Sequence, residues 1–264
     1  MSTPLIICAD DFGYADAVDA GIATLVAAGR VTATSCLTSS PRWREAAARA
    51  RGLLSSADVG LHLDLTEFAR VAALPRLLLA GRLGLLDRRV LRARCAEQLT
   101  RFEDALGAPP AYVDGHQHVH QLPAVARELI DELLRRYGDA LPWMRISQPA
   151  GKDLKSRLIA ATGAARLRRR LDAAGLRHND RLLGIYDFGA SPPWLERAAG
   201  WLRETRAGDA LMVHPASAAV AGDPLSEARR REFDALGSPQ FAALLDRHRV
   251  EPARGASLAP PVAA

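Results

Sequence analysis

Ala111-Tyr112-Val113-Asp114-Gly115-His116-Gln117-His118-Val119-His120 is an apolar run that ends in a carboxylate and then sets three histidines on alternate positions. Beyond Gln121-Leu122, the stretch from Pro123 to Tyr137 predicts a helix. Pro123 suits its first turn, Val125, Leu129, Ile130, Leu133 and Leu134 fall on one side, Glu132 and Arg136 pair four residues apart, and Gly138 ends it. The stretch is therefore one β-α unit with a ligand-rich turn between its halves.

The same unit recurs in both directions along the chain. Strands are expected at Leu5 to Ala9, Val31 to Leu37, Asp58 to Leu65, Ala111 to Asp114, Pro142 to Ile146, Arg181 to Tyr186 and Ala210 to His214. Helices are expected at Asp16 to Ala28, Trp43 to Leu53, Leu91 to Leu106, Pro123 to Tyr137, Leu154 to Ala173, Trp194 to Glu204 and Ser226 to His248, the last broken near Gly237-Ser238-Pro239. Repeated β-α alternation implies parallel strands joined by helical crossovers. About seven such units suit a closed or nearly closed (β/α) barrel, with an open doubly wound sheet as the alternative. Val71 to Arg88 is rich in leucine and arginine without a clean period and is read as an irregular excursion, a candidate lid. One domain is expected over residues 1–252, with a mobile Ala/Pro/Gly-rich tail over 253–264.

Composition narrows the class. The chain has 264 residues, 48% of them hydrophobic and 25% charged, as expected of a globular protein with one large core. Cys8, Cys36 and Cys95 are widely spaced and form no CxxC, so neither a disulfide framework nor a thiolate zinc site is indicated. That cysteine usage and the absence of a signal-like N-terminus lead to a cytoplasmic expectation. No apolar run approaches the length of a membrane span. The net charge is +5, and its densest clusters, Arg166 with Arg168 to Arg170 and Arg229 to Arg231, are read as solvated helix faces in preference to sites for nucleic acid, other phosphates or membranes.

In parallel α/β folds, sites form at the carboxyl ends of the strands. Asp10 and Asp11 end the first strand, His62 lies near the end of the third, Asp114, His116 and His118 end or follow the fourth, and Val213-His214-Pro215 ends a late one. Taken singly, a paired Asp is commonly a cap and a lone histidine a core residue. Three alternating imidazoles differ, because in extended chain they share a side and repel on protonation unless a metal or carboxylate is near. One aspartate with two histidines would leave positions open for water and substrate on a divalent ion, zinc being plausible from the ligand types. The second carboxylate of the pair is then free as a general base, which makes amide or ester hydrolysis the economical chemistry.

Ala9-Asp10-Asp11-Phe12-Gly13, Gly60-Leu61-His62-Leu63, Asp114 to His120 and Val213-His214-Pro215 together resemble the YdjC-like carbohydrate deacetylases in order and spacing. The resemblance implies an α/β fold, a distorted TIM-like (β/α) barrel. It implies a divalent metal, magnesium by family description, and removal of acetyl from an N-acetylated sugar of an oligosaccharide or a glycolipid head group. By motif position it makes Asp11, His62 and His116 the metal ligands, with His120 as the competitor of His116. Asp10 becomes the base that activates water, His214 the general acid or transition-state stabiliser, and Arg145 the group that holds Asp10. Asp114, His118 and His120 become substrate contacts or supports of the ligands. The chain departs from the family at Asp19, where asparagine is frequent, and at Tyr14, where an aliphatic residue is usual. The expected partner is a small N-acetylated carbohydrate, with no nucleic acid and no membrane span; a homodimer is left open. An amidohydrolase-type barrel is a weaker alternative, because its His-x-His lies on the first strand. A non-catalytic sugar-binding protein on the same fold is the alternative from another class.

Overall fold

A computed structural model of the chain describes residues 2–151 and 153–258. Strand β1 (Thr3–Phe12) is followed by α1 (Asp16–Ala27), β2 (Ala33–Cys36), α2 (Trp43–Arg51) and β3 (Asp58–Leu63). Next come α3 (Leu74–Arg82), α4 (Arg88–Leu106), β4 (Tyr112–Gly115), α5 (Pro123–Tyr137) and β5 (Trp143–Met144). Then follow α6 (Leu154–Ala161), α7 (Ala164–Ala173), β6 (Leu182–Leu183), α8 (Trp194–Glu204) and β7 (Ala210–Val213). Helices α9 (Ser226–Leu236) and α10 (Pro239–His248) and strand β8 (Val250–Pro252) complete the order.

The strands are parallel and lie in the order β5-β4-β3-β2-β1-β7-β6. Isolated bridges Met144–His178 and Pro149–Leu182 tie the β5 end to the β6 end. The spatial order is thus the chain order taken round a ring, as in a distorted (β/α) barrel of seven units. The strands are short apolar runs because both faces are covered. On β1, Leu5, Ile7 and Ala9 face the helical layer, where they join Val18, Ile22 and Leu25 of α1. The alternate residues Ile6 and Cys8 face inward, with Ala33, Tyr112, Trp143, Leu182 and Met212. Tyr112 and Trp143 stack at 4.4 Å between ring centroids. Gly60 makes room for that pair, since a Cβ there would lie 2.5 Å from Tyr112 Cδ1.

Several sequence expectations are corrected. The excursion at Val71 to Arg88 contains α3, whose leucines fall on several sides; only Leu77 is buried. The helix expected from Leu154 to Ala173 is two helices. It breaks at Gly163, where φ is +139° and a Cβ would meet the Gln121 carbonyl at 2.2 Å. The break expected near Gly237 is present, and Ser238 caps α10 through Phe241 N–H. Strand β8, which pairs with Thr3 to Leu5, was not expected. Residues 253–258, expected to be mobile, dock under the barrel: Gly255 N–H and Trp143 Nε1 both donate to Asp58 Oδ2, Arg254 pairs with Asp58 Oδ1 at 2.7 Å, and Leu258 is buried. The remainder of the expected tail lies outside the described residues.

Candidate active site

Two successive residues of a regular strand point to opposite faces, yet Asp10 and Asp11 both serve the same end of the barrel. A bulge makes this happen. Between Ala9↔Thr34 and Phe12↔Cys36 the first strand spends one residue more than its neighbour, and Asp11 adopts a left-handed φ of 69°. Such a conformation costs a non-glycine residue about 1–3 kcal/mol and is held by its surroundings. Here the anchor is buried Asp19, whose Oδ1 accepts from Gly13 N–H at 2.6 Å and whose Oδ2 accepts from Arg42 at 3.0 Å.

Asp10 points into the barrel, where the fully buried Arg145 grips it in a fork, Nη1 to Oδ1 at 2.7 Å and Nη2 to Oδ2 at 2.6 Å. The same guanidinium reaches Asp114 Oδ2 at 2.8 Å. Asp114 Oδ1 lies 2.6 Å from His62 Nδ1, and Ser35 Oγ bonds Asp114 Oδ2 at 3.1 Å. With Nδ1 engaged, His62 turns Nε2 towards Asp11, 3.4 Å from Oδ1. His116 Nδ1 lies 3.0 Å from the same oxygen. Asp11, His62 and His116 each offer one ligand atom, all within 4.8 Å of one another. A second group, Asp10, His62 and Asp114, is equally close, but Arg145 already pairs with both of its carboxylates and occupies their oxygens.

The histidine run is not extended. Gln117 and His118 have φ of 51° and 61°, and His116–Gln121 forms a 3-10 turn that fans the three imidazoles apart. His116 faces Asp11, His118 Nδ1 bonds Ser147 Oγ at 2.8 Å, and buried His120 turns Nε2 to the Arg145 carbonyl at 2.9 Å. Between His116 and His120, the structure therefore brings only His116 to Asp11 and His62. His214, just past β7, lies beside Asp10, with Nε2 3.9 Å from Oδ2. Glu232 accepts the His214 backbone N–H and the Tyr186 hydroxyl, a buried support that sequence reading missed.

Arg229 is the other missed residue, and it corrects the reading of Arg229 to Arg231 as a solvated face. It is 2% exposed and bridges Asp11 Oδ2 at 2.7 Å to Asp223 Oδ2 at 2.6 Å. Its signal was the spacing Arg229, Glu232, Leu236, one buried helical stripe within a charged helix.

These environments push the carboxylates apart. Burial raises Asp10 even against Arg145, with Asp114 adding to the rise. Burial would raise Asp11 too, but Arg229 and His116 hold it well below the carboxylate range. Asp114 resists its burial through Arg145 and His62 and falls to about 2. His62 is desolvated yet is raised to about 10 by Asp114 and Asp11. Burial leaves His118 well below the usual value, His120 at about 4 and His214 at about 3, so all three are neutral. The cluster floors a cleft of about 1250 Å³ whose walls come largely from α3, α6 and α7.

A parallel β/α barrel with buried carboxylates and imidazoles gathered at the carboxyl ends of its strands has the layout of a barrel enzyme. The chain belongs to the YdjC-like family, whose model matches residues 4–247. It is similar to the carbohydrate deacetylase of Mus musculus, with 31% identity over 80% of this chain and 77% of that protein. The chitooligosaccharide deacetylase of Enterobacter sp. (strain 638) is 31% identical over 53% of this chain and 59% of its own length. Among solved structures, a candidate cellobiose-phosphate cleavage protein of Enterococcus faecalis V583 superposes with a TM-score of 0.68 and 24% identity, covering 97% of this chain and 99% of that one. That superposition supports the barrel fold.

Proposed function

We propose that the chain is a metal-dependent hydrolase that removes acetyl from an N-acetylated sugar. The observation that carries this reading is the convergence of Asp11, His62 and His116 at ligand distances beside a separately held Asp10. The donor set fits a divalent ion: Asp114 fixes His62 with Nε2 forward, and Arg229 occupies the Asp11 oxygen that faces away from the imidazoles. Two imidazoles and one carboxylate suit zinc or a similar ion, whereas the family resemblance implies magnesium. When bound there, such an ion acidifies water and polarises a carbonyl.

The remaining chemistry belongs to the chain's own groups. Arg145 orients Asp10, and burial keeps the Asp10 carboxylate basic enough to accept a proton from water. Once protonated, Asp10 can return that proton to the leaving amine. His214 is neutral, which favours the stabiliser role over that of a resident general acid. Its ring has one N–H to offer to the carbonyl oxygen as negative charge develops there. The names of the mouse and Enterobacter relatives support carbohydrate amides as the substrate class.

The test is acetate release from N-acetylglucosamine oligosaccharides by the purified chain. Asp10→Asn should cut turnover about 10²–10⁴-fold with metal content unchanged. Full turnover in that variant would remove Asp10 from the chemistry.

A further inference from the structure

Around the mouth of the cleft the surface changes character. Leu79, Leu83, Leu85, Leu154 and Leu158 are each 59–71% exposed. They make up five of the seven large apolar side chains that stand out from the described residues. Leu79 and Leu158 line the cleft itself, from α3 and from α6. Leu154 and Leu158 are four residues apart and share one helix face. Leu83 and Leu85 flank Gly84, whose positive φ makes the turn after α3. Single exposed leucines are ordinary, but a cluster of them at one site is not.

The charge on the same two walls is predominantly basic. Residues 67–87 and 153–172 contain nine of the 35 basic residues and four of the 30 acidic ones, Glu67, Asp87, Asp153 and Asp172, so the rest of the chain carries 26 cations against 26 carboxylates. Among the described residues, Arg82, Arg166 and Arg169 line the cleft without an ion-pair partner. Exposed aliphatic tips beside unpaired cations fit an anionic lipid surface. A protein partner would be met more often by tryptophan and tyrosine, with leucine under-represented.

We propose that this rim seats on anionic bilayers, leucines in the head-group region and arginines on lipid phosphates, with the cleft mouth facing the membrane. No helix among the described residues is long and apolar enough to cross a membrane, so the association is peripheral.

The test is sedimentation of the full chain with vesicles of phosphatidylcholine alone or mixed with phosphatidylglycerol. The chain should bind the mixed vesicles, and high salt should weaken that binding. Leu83→Asn/Leu85→Asn should lower partition about tenfold or more and leave acetate release from a soluble sugar unchanged. Arg166→Glu and Arg169→Glu should each lower it about fivefold or more. Binding that ignores lipid charge, or survives the leucine substitutions, overturns the proposal. So does absence of vesicle binding combined with a dimer that the leucine substitutions dissociate, which would assign the rim to a second copy. The vesicle assay needs no turnover, so its failure leaves the deacetylase reading standing, and failure of that reading leaves the vesicle result standing.

Discussion

Replacing Arg229 by methionine tests the support of Asp11 most directly. Arg229 is the cation that Asp11 and Asp223 share, at 2.7 and 2.6 Å, in a pocket closed to solvent. Methionine keeps much of the apolar stem and removes the charge, leaving two buried carboxylates that lack their arginine. Removing one partner of a buried pair costs about 3–5 kcal/mol. At about 2–4 °C per kcal/mol for a chain of this size, the midpoint should fall by about 6–20 °C. The assay is thermal unfolding by circular dichroism at neutral pH, in chelator, beside two controls. Arg230→Ala breaks an exposed pair with Asp234 and an exposed hydrogen bond to the Ser217 carbonyl, and should change stability by no more than about 1 kcal/mol. Asp223→Asn added to Arg229→Met should recover part of the loss by removing one stranded charge. The arginine also orients a proposed ligand, so metal affinity should fall about 10–100-fold. If Arg229→Met melts within about 2 °C of wild type, Arg229 does not hold Asp11 as described.

Three further outcomes are expected. Asp114→Asn should weaken metal binding about 10–100-fold by releasing His62 Nδ1, and a titration showing unchanged affinity would contradict it. In the chelated chain, His120 titrates at about 4 instead of 6.5. The unfolded state then binds more protons in this window, so about 3 kcal/mol is lost as pH falls from 6.5 to 4. His62, raised to about 10, acts in the opposite sense: its stabilisation is complete below pH 6.5 and fades as pH rises towards 10. In urea unfolding across pH, His120→Asn should therefore show a shallower acid fall than wild type, while His118 and His214 keep the same sense and Glu232, raised to about 7, acts against them; identical acid limbs in the two proteins would contradict the assignment to His120. Gly60→Ala should impair folding, because the added Cβ would sit 2.6 Å from the Tyr112 carbonyl as well as against its ring; a stably folded variant would refute the close approach.

Much of this was legible in the chain. Strands buried on both faces appear as short apolar runs, and polar residues at their ends marked the rim, so Asp10, Asp11, His62, Asp114, His116 and His214 were all found where the barrel gathers them. What escaped has physical causes. The kink at Gln117 and His118 uses left-handed φ without glycine, so no residue type announced it. Helix α3 displays leucine on exposed and buried sides alike, which erases the period. Strand β8 is three residues long and held by its register with β1. Arg229 was hidden in a run of three arginines in which only it turns inward.

The position of β1 between β2 and β7 also sets a timetable for synthesis. One side of β1 can pair once Ala33–Cys36 has emerged, but the other waits for Ala210–Val213. At about 5–20 residues per second, that wait lasts roughly 10–40 s. Throughout it, a strand containing Leu5, Ile6 and Ile7 offers unpaired amides and carbonyls at the ribosome, a template for another nascent chain. The residues that place Asp10 and Asp11 are thus among the first made and the last to be shielded, and cells producing this protein quickly should need chaperone cover for its amino-terminal strand.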